Sequence, residues 1–234
     1  MNNLNEVSLF WTDTPEGHRV MNDIFIKITN DDPQLKEYRD WIESNIFGFG
    51  ERSFMWMWKL LIDEMPENFS FLEIGVFRGQ ILALIELLAQ RTEKKADRTG
   101  VTPLDNTDGH WDSDYRADII KLHKTFNLNA PYRIIKGLST DHEIIKQAKK
   151  EYDLLYIDGG HTFDVVKSDL KNYPQMVKVG GYLIIDDCCN KYQIPNGMFA
   201  GIESVSKAVD EVFPNESFKE LFSVVHNRIF KRVK

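Results

Sequence analysis

From residue 69 onward, short apolar segments of strand type alternate with segments of helical pattern. FSFLEIGV, TGVTP, YRIIKG, DLLYID and GYLIIDD have the strand pattern, and most of them are followed by a helical pattern such as QILALIELLAQRTE. FKELFSVVH and RIFKRV can close the sheet as a hairpin, which gives seven strands. Parallel strands need crossover helices, and these crossovers are right-handed. The chain therefore predicts a doubly wound, Rossmann-like α/β fold with a mostly parallel sheet and helices on both faces.

Residues 1–66 do not follow this alternation, so we expect an N-terminal helical extension or cap before an α/β domain over residues 67–234. DPQLKEYRDWIESNIFG has the pattern of a helix with Pro33 near its start and Gly48 after its end. ERSFMWMWKLLIDEM has the pattern of a second helix, closed by Pro66.

The second of these helices is unusually apolar. Phe54, Met57, Trp58 and Leu61 form one face at helical spacing, whereas Trp56 lies outside that face. A second apolar face predicts contact with another subunit, so we expect a homodimer in which the N-terminal helices take part. The alternative is that Trp56 packs under the first thirty residues of the same chain.

The charge balance and the cysteines restrict the partners and the compartment. The formal net charge is -7, which disfavours nucleic-acid binding because phosphate contacts need clustered Lys and Arg. No apolar run approaches the ~20 residues of a membrane helix, and the polar start lacks the pattern of a signal peptide. The adjacent Cys188 and Cys189 favour a reducing compartment. We therefore expect a cytoplasmic protein with neither nucleic-acid nor membrane partners.

A glycine-containing turn follows the first strand. FLEIGVFRGQI places Glu73, Gly75 and Gly79 between that strand and the next helix, where open α/β sheets bind ligands. Glycine lets the backbone approach a ligand closely and adopt positive φ. Phe77 stands where a dinucleotide-binding motif has its second glycine, which argues against NAD. A purely structural turn is the alternative.

Acidic residues end two neighbouring strands of the predicted sheet. Adjacent strands lie ~4.8 Å apart, so Asp158 is expected to meet Asp186 and Asp187 at one edge. Three carboxylates repel one another, and a divalent cation such as Mg²⁺, Mn²⁺ or Ca²⁺ offsets this repulsion. Asp186 and Asp187 can share an ion only if the chain turns there, because successive strand residues face opposite ways. The alternative is that these acids cap helices or bind loop amides.

The segment YDLLYIDGGHTFDVVKSDLKNYPQMVKVGGYLIIDD, with FLEIGVFRG and IIKGLST, resembles class I S-adenosylmethionine-dependent methyltransferases. More narrowly, it resembles the macrocin-type sugar O-methyltransferase and cephalosporin-hydroxylase-like family, over roughly residues 69–190. The resemblance implies that residues 67–234 bind S-adenosylmethionine, with contacts from Glu73, Gly75 and Gly79. In metal-dependent relatives it also implies a divalent cation, Mg²⁺ first, held by Asp158, Asp186 and Asp187.

Three more residues have candidate roles in cofactor binding. Asp105 is the acid nearest to the end of the second strand, where the resemblance implies ribose binding, and a loop-bonding role is the alternative. Ser139 follows IIKGL and is expected to bind the adenine edge or to cap the next helix. Trp111 is expected to cover the adenine or the acceptor, or only to pack.

The candidate general base is His161. Some sugar-methylating relatives carry an acidic base where this chain has Gly160, which has no side chain. His161 lies three residues after Asp158, where catechol-type methyltransferases carry a basic lysine, and its pKa suits proton transfer near neutral pH. The alternative is a helix N-terminal histidine bonded to a carboxylate.

We therefore expect an S-adenosylmethionine-dependent O-methyltransferase with Asp158 and His161 as catalytic residues. Its acceptor is expected to be a small molecule with a hydroxyl, sugar-like by resemblance. One alternative is a metal-dependent hydroxylase-like enzyme, although iron oxygenases usually combine two His with one carboxylate. The other is a non-catalytic protein that binds S-adenosylmethionine on the same fold.

Overall fold

A computed structural model describes residues 1–104, 114–189 and 199–234. The described residues form one sheet whose strands are β1 (Asn68–Ile74), β2 (Lys95–Thr102), β3 (Tyr132–Lys136), β4 (Tyr152–Ile157), β5 (Val177–Ile185), β6 (Phe218–Val224) and β7 (Asn227–Arg232). The strand order is β3-β2-β1-β4-β5-β7-β6. Strands β1 to β5 pair in parallel, and β7 is antiparallel to both β5 and β6. The prediction of a Rossmann-like, mostly parallel seven-stranded sheet is confirmed.

Helices precede the sheet and connect its strands. They are α1 (Leu4–Phe10), α2 (Pro15–Asp31), α3 (Pro33–Asn45), α4 (Phe54–Asp63), α5 (Gln80–Arg91), α6 (Tyr115–Thr125), α7 (His142–Ala148), α8 (Phe163–Asn172) and α9 (Glu203–Asp210), with a 3₁₀ turn at Pro174–Met176. None of the helices within the described ranges is long and apolar enough to cross a membrane.

The central strands bury both faces, because helices cover both sides of the sheet. Alternate side chains enter two separate apolar clusters. Phe71 and Tyr156 enter the cluster that includes the N-terminal helices, whereas Leu72 and Leu155 enter the cluster on the side of α7, α8 and α9. Residues 1–66 and the sheet thus share one core, and the division into an extension and a methyltransferase domain stays a prediction.

Helix α4 is buried on more than one face, with eight of its ten residues buried. The Trp58 ring centroid lies 5.1 Å from that of Tyr156 and 6.0 Å from that of Phe71, so this side packs on the sheet. Trp56 is only 7% exposed, and its indole Nε1 donates a hydrogen bond to the Met1 carbonyl at 3.1 Å. The second apolar face is therefore covered within the chain, as in the alternative given above, and the homodimer stays a prediction.

Candidate active site

The turn after β1 fits only glycine at its first position. Gly75 has φ +98, and a Cβ built there would lie 1.8 Å from the carbonyl oxygen of Asp158. Its amide donates to the Val101 carbonyl at 2.9 Å, which fixes the turn to β2. Gly79, at φ +90, precedes α5, and a Cβ there would lie 2.8 Å from Ile119. The glycine turn and the end of β4 are therefore in direct contact at the carboxyl ends of the strands, where open α/β sheets have their ligand-binding crevice.

Glu73 lies beneath this turn. Its side chain is buried, and its Oε2 atom has no hydrogen-bond partner among the described residues. Burial, and then the charge of Asp158, raise the pKa of Glu73 well above its usual value. A buried carboxyl group with a free oxygen suits a ligand that carries an amino group.

The acidic residues meet at the ends of β4 and β5, as the strand pattern predicts. The Asp158 amide donates to the Ile74 carbonyl at 2.8 Å, and the Asp186 amide donates to the Ile157 carbonyl at 3.0 Å. The buried Tyr156 hydroxyl lies 2.6 Å from Asp186 Oδ2 and 3.1 Å from Asp158 Oδ2. Tyr156 therefore links the two carboxylates from below.

The chain turns at Asp187, which has φ +56. The Asp186 side chain points inward, and its Oδ1 accepts hydrogen bonds from His226 Nδ1 at 2.6 Å, Asn227 Nδ2 at 2.7 Å and the Asp187 amide at 2.9 Å. Asp187 lies between the two histidines, with Oδ1 3.2 Å from His226 Nδ1 and Oδ2 3.4 Å from His161 Nε2. The turn that two adjacent acids need in order to share a site is thus present.

Ligand atoms gather in two groups that share Asp187. One contains Asp158, His161 and Asp187, and the other contains Asp186, Asp187 and His226; within each group the atoms lie within 4.8 Å of one another. Each group offers carboxylate oxygens and an imidazole nitrogen, a donor set that Mg²⁺, Mn²⁺ and other divalent cations accept. The three aspartates of the predicted metal site are therefore divided between two groups, each of which also includes a histidine.

Electrostatic coupling at this edge is strong. Interaction with Asp158, whose Oδ1 lies 3.9 Å from Nε2, raises the pKa of His161 to about 9. Burial opposes the charge on His226, but the Asp186 carboxylate outweighs it and raises the pKa of His226 to about 10. Partial burial and the charge of Asp186 raise the pKa of Asp158 above its usual value. At neutral pH two imidazolium groups therefore offset the carboxylates.

Ser139 lies in the loop after β3 and contacts helix α8. Its hydroxyl donates to Asp169 Oδ2 at 3.1 Å, and its carbonyl accepts a hydrogen bond from the Tyr173 hydroxyl at 2.8 Å. Helix α7 has Asp141 as its N-cap residue, so Ser139 does not cap that helix.

Sequence reasoning missed Tyr156, His226 and Asn227. Tyr156 looks like an ordinary strand residue, and His226 lies in the turn of the predicted C-terminal hairpin. Only the insertion of β7 between β5 and β6 brings that turn to Asp186, and no local pattern shows this insertion. Asp105 and Trp111 lie outside the described residues.

Comparisons with known proteins identify the family of the chain. Residues 72–188 match the model of a methyltransferase domain family. The uncharacterized protein R132 of Acanthamoeba polyphaga mimivirus is 27% identical over 169 residues, which cover 68% of this chain and 70% of that protein.

Solved methyltransferase structures share the fold. PaMTH1 of Podospora anserina, bound to S-adenosylhomocysteine (SAH), has a TM-score of 0.61 at 14% identity and covers 91% of this chain and 95% of its own. The Bacillus cereus O-methyltransferase in complex with SAH has a TM-score of 0.60 at 11% identity, with coverage of 89% and 96%. CalS11, a TDP-rhamnose 3'-O-methyltransferase of calicheamicin biosynthesis, has a TM-score of 0.54 at 13% identity, with coverage of 95% and 97%. The chain belongs to the methyltransferase family that this domain model describes, and it has the Rossmann-like fold of class I methyltransferases.

Proposed function

We propose that this protein is an S-adenosylmethionine-dependent O-methyltransferase that uses a divalent cation to methylate a hydroxyl of a small, sugar-like acceptor. The observation that carries the proposal is the contact between the Gly75 turn and the backbone of Asp158. The contact is so close that a Cβ at position 75 would clash with the Asp158 carbonyl oxygen. A methyl donor on the turn and an acceptor at the acidic edge would then be neighbours. Membership of a methyltransferase family supplies the reaction class.

The donor side of the crevice supports S-adenosylmethionine. Glu73 offers a buried, unpartnered carboxyl oxygen beneath the turn, which suits the amino group of the methionine part. The glycine at position 75 lets the turn lie directly against the Asp158 backbone, so a donor bound at the turn would be next to the acidic edge. Two of the solved structures with this fold contain SAH, the product of methyl transfer.

The acceptor side supports proton removal from a hydroxyl. Asp158 and Asp187 would hold the cation, with His161 beside them. A divalent cation bound there lowers the pKa of a neighbouring hydroxyl. His161 is half exposed at the edge of the site. A cation bound to the carboxylates would weaken the interaction with Asp158 that raises the pKa of His161. The imidazole would then be neutral and could take the proton of the hydroxyl. The chain then has only to hold the acceptor oxygen in line with the methyl group, and such orientation supplies much of the rate.

The sugar-like acceptor rests on two supports. The segment from Tyr152 to Asp187 resembles the macrocin-type sugar O-methyltransferases, and CalS11, which shares the fold, acts on TDP-rhamnose. The hydroxylase-like alternative needs two imidazoles and one carboxylate. Each of the two ligand groups found among the described residues instead has two carboxylates and one imidazole.

Calorimetry with SAH, Mg²⁺ and Mn²⁺ tests the proposal. We expect the wild-type protein to bind SAH and one of the two cations, and Asp187→Asn to weaken cation affinity at least about tenfold. Asp97→Asn is the matched control, because Asp97 is an exposed carboxylate near the opposite end of β2. SAH binding that is accompanied by neither cation binding nor methyl transfer to any nucleotide sugar would favour the non-catalytic alternative. Failure to bind SAH would contradict the proposal as a whole.

A further inference from the structure

Helix α8 and its C-cap residue Tyr173 hold the loop after β3 through two side chains one turn apart. Asp169 accepts the Ser139 hydroxyl, and Tyr173 donates to the carbonyl of the same serine. Both the side chain and the backbone of Ser139 are therefore fixed by one helix, while Ser139 itself remains partly exposed.

This serine–aspartate pair lies next to the loop that follows β4. A Cβ added to Gly159 would lie 3.1 Å from Asp169 Oδ2 and 3.9 Å from Ser139 Oγ, so the pair lies against the loop after β4. Gly159 follows Asp158 directly, and β3 and β4 both end here. The pair therefore belongs to the edge where open α/β sheets bind ligands.

Asp169 has features of a residue kept for a purpose other than stability. It is 1% exposed, and its Oδ1 atom has no partner within the described parts of the chain. Burial raises its pKa to about 7, so the ionised carboxylate costs folding free energy near neutral pH. One oxygen of this buried carboxyl group has a hydrogen-bond partner and the other has none, which indicates a function for Asp169 at the Ser139 loop.

We propose that Asp169 is a positioning residue that makes Ser139 a hydrogen-bond acceptor for the adenine amino group of the methyl donor. This inference rests on the function proposed above. A serine hydroxyl has one hydrogen, and a carboxylate can only accept. Because Ser139 donates that hydrogen to Asp169, its lone pairs alone remain for a ligand. These lone pairs can accept a hydrogen bond from the 6-amino group of adenine. They cannot bond the 6-oxo group of hypoxanthine, which is itself an acceptor.

The test compares the affinities of SAH and S-inosylhomocysteine at pH 8. The two ligands differ in the 6-amino against the 6-oxo group and in N1, which accepts in adenine and donates in hypoxanthine. The change of the affinity ratio in the variants, rather than the wild-type ratio alone, therefore reports on Ser139. We expect the wild-type protein to prefer SAH about tenfold or more, the effect of one mismatched hydrogen bond. In Asp169→Asn the carboxamide can donate to Ser139, which frees the serine hydrogen for a 6-oxo group. The preference should therefore fall towards one or invert.

Two further variants and one control complete the comparison. Ser139→Ala should remove the part of the preference that comes from this hydrogen bond. Adding Asp169→Asn to Ser139→Ala should then leave the affinity ratio unchanged. Asp169→Ala removes the acceptor and leaves the serine hydrogen free for a ligand, so it too should lower the preference, and it serves if Asp169→Asn does not fold. Asp164→Asn changes an exposed carboxylate on the same helix and should keep the wild-type ratio.

The outcomes separate this inference from the function on which it rests. An unchanged affinity ratio in a folded Asp169→Asn, or in Asp169→Ala should the former not fold, overturns the role of Asp169 and leaves the methyltransferase proposal standing. Equal affinity of the wild-type protein for both ligands does the same. Binding of neither ligand by the wild-type protein overturns both.

Discussion

Single residues decide whether the two halves of the site can lie together, and Gly75 is the clearest case. Gly75→Ala would force the Asp158 backbone away, because the new Cβ would lie 1.8 Å from its carbonyl oxygen. We expect SAH affinity to fall at least about tenfold, since the turn must move out of its ligand-binding position.

Gly180 provides the matched control for this substitution. It has φ +88, close to the +98 of Gly75, but a Cβ there would meet nothing within 4 Å. Gly180→Ala should therefore carry a similar backbone strain of about 1 kcal/mol and keep SAH affinity. Isothermal titration of both variants checks this, and wild-type affinity in Gly75→Ala would contradict the assigned site.

Asp169 should make stability depend on pH. Its pKa rises from 3.8 in the unfolded chain to about 7 in the folded protein, so the folded state holds its proton more tightly. Stability is then lost progressively as pH rises from about 4 to about 7, and the loss levels off above that range. Asp169→Asn removes this loss. The unfolding free energy of the variant minus that of the wild-type protein should therefore be roughly 3 kcal/mol larger at pH 8 than at pH 5. Urea denaturation at both pH values measures the difference, and a constant difference would contradict the assignment.

The locations of the strand-end residues were predictable, because the carboxyl ends of neighbouring parallel strands lie at the same edge of a sheet. Asp158, Asp187 and His161 follow apolar strands, and the structure brings them within reach of one another. The inward direction of Asp186 was not predictable, since it depends on donors from a distant hairpin.

At the scale of elements, the β6–β7 hairpin is part of the site. Its turn residue His226 binds Asp186 and contacts the rings of Phe54 and Phe199, with centroids 4.8 Å and 5.0 Å away. His226→Ala would leave a buried carboxylate without its main counter-charge, so we expect a loss of roughly 3 kcal/mol in unfolding free energy. His142→Ala is the control, because that side chain is 89% exposed. Equal stability of the two variants in urea would contradict this role.

Elements with polar residues at buried positions were the hardest to predict. Helix α2 buries His18, Asn22 and Thr29 beside Met21 and Phe25, which blurs its apolar stripe. Strand β2 begins well before TGVTP, because it carries the buried Arg98, paired with Glu86. The helices α3 and α5 and the strand β4 were predicted correctly, since apolar residues make up most of their buried faces even though α3 also buries Arg39 and α5 also buries Glu86.

For the whole molecule, assembly is the property that mutation can test most directly. Trp56 is covered, but Leu9 and Phe10 of α1 are 88% and 57% exposed, so a homodimer through the N-terminal helices would use them. We expect light scattering to give twice the 27.3 kDa chain mass, and Leu9→Glu to return it to one chain. Val179→Glu, at another exposed apolar residue on β5, should leave the dimer intact. A wild-type mass of one chain would contradict the dimer.

Strand β7 follows β6 in the chain but lies between β5 and β6 in the sheet. During synthesis, one edge of β5 therefore has no hydrogen-bonded neighbour until β7, the last strand of the sheet, has left the ribosome. Until then Asp186 also lacks His226 and Asn227, its partners in that hairpin. The acidic edge is thus completed last, and nascent chains that stop short of β7 should carry no working site.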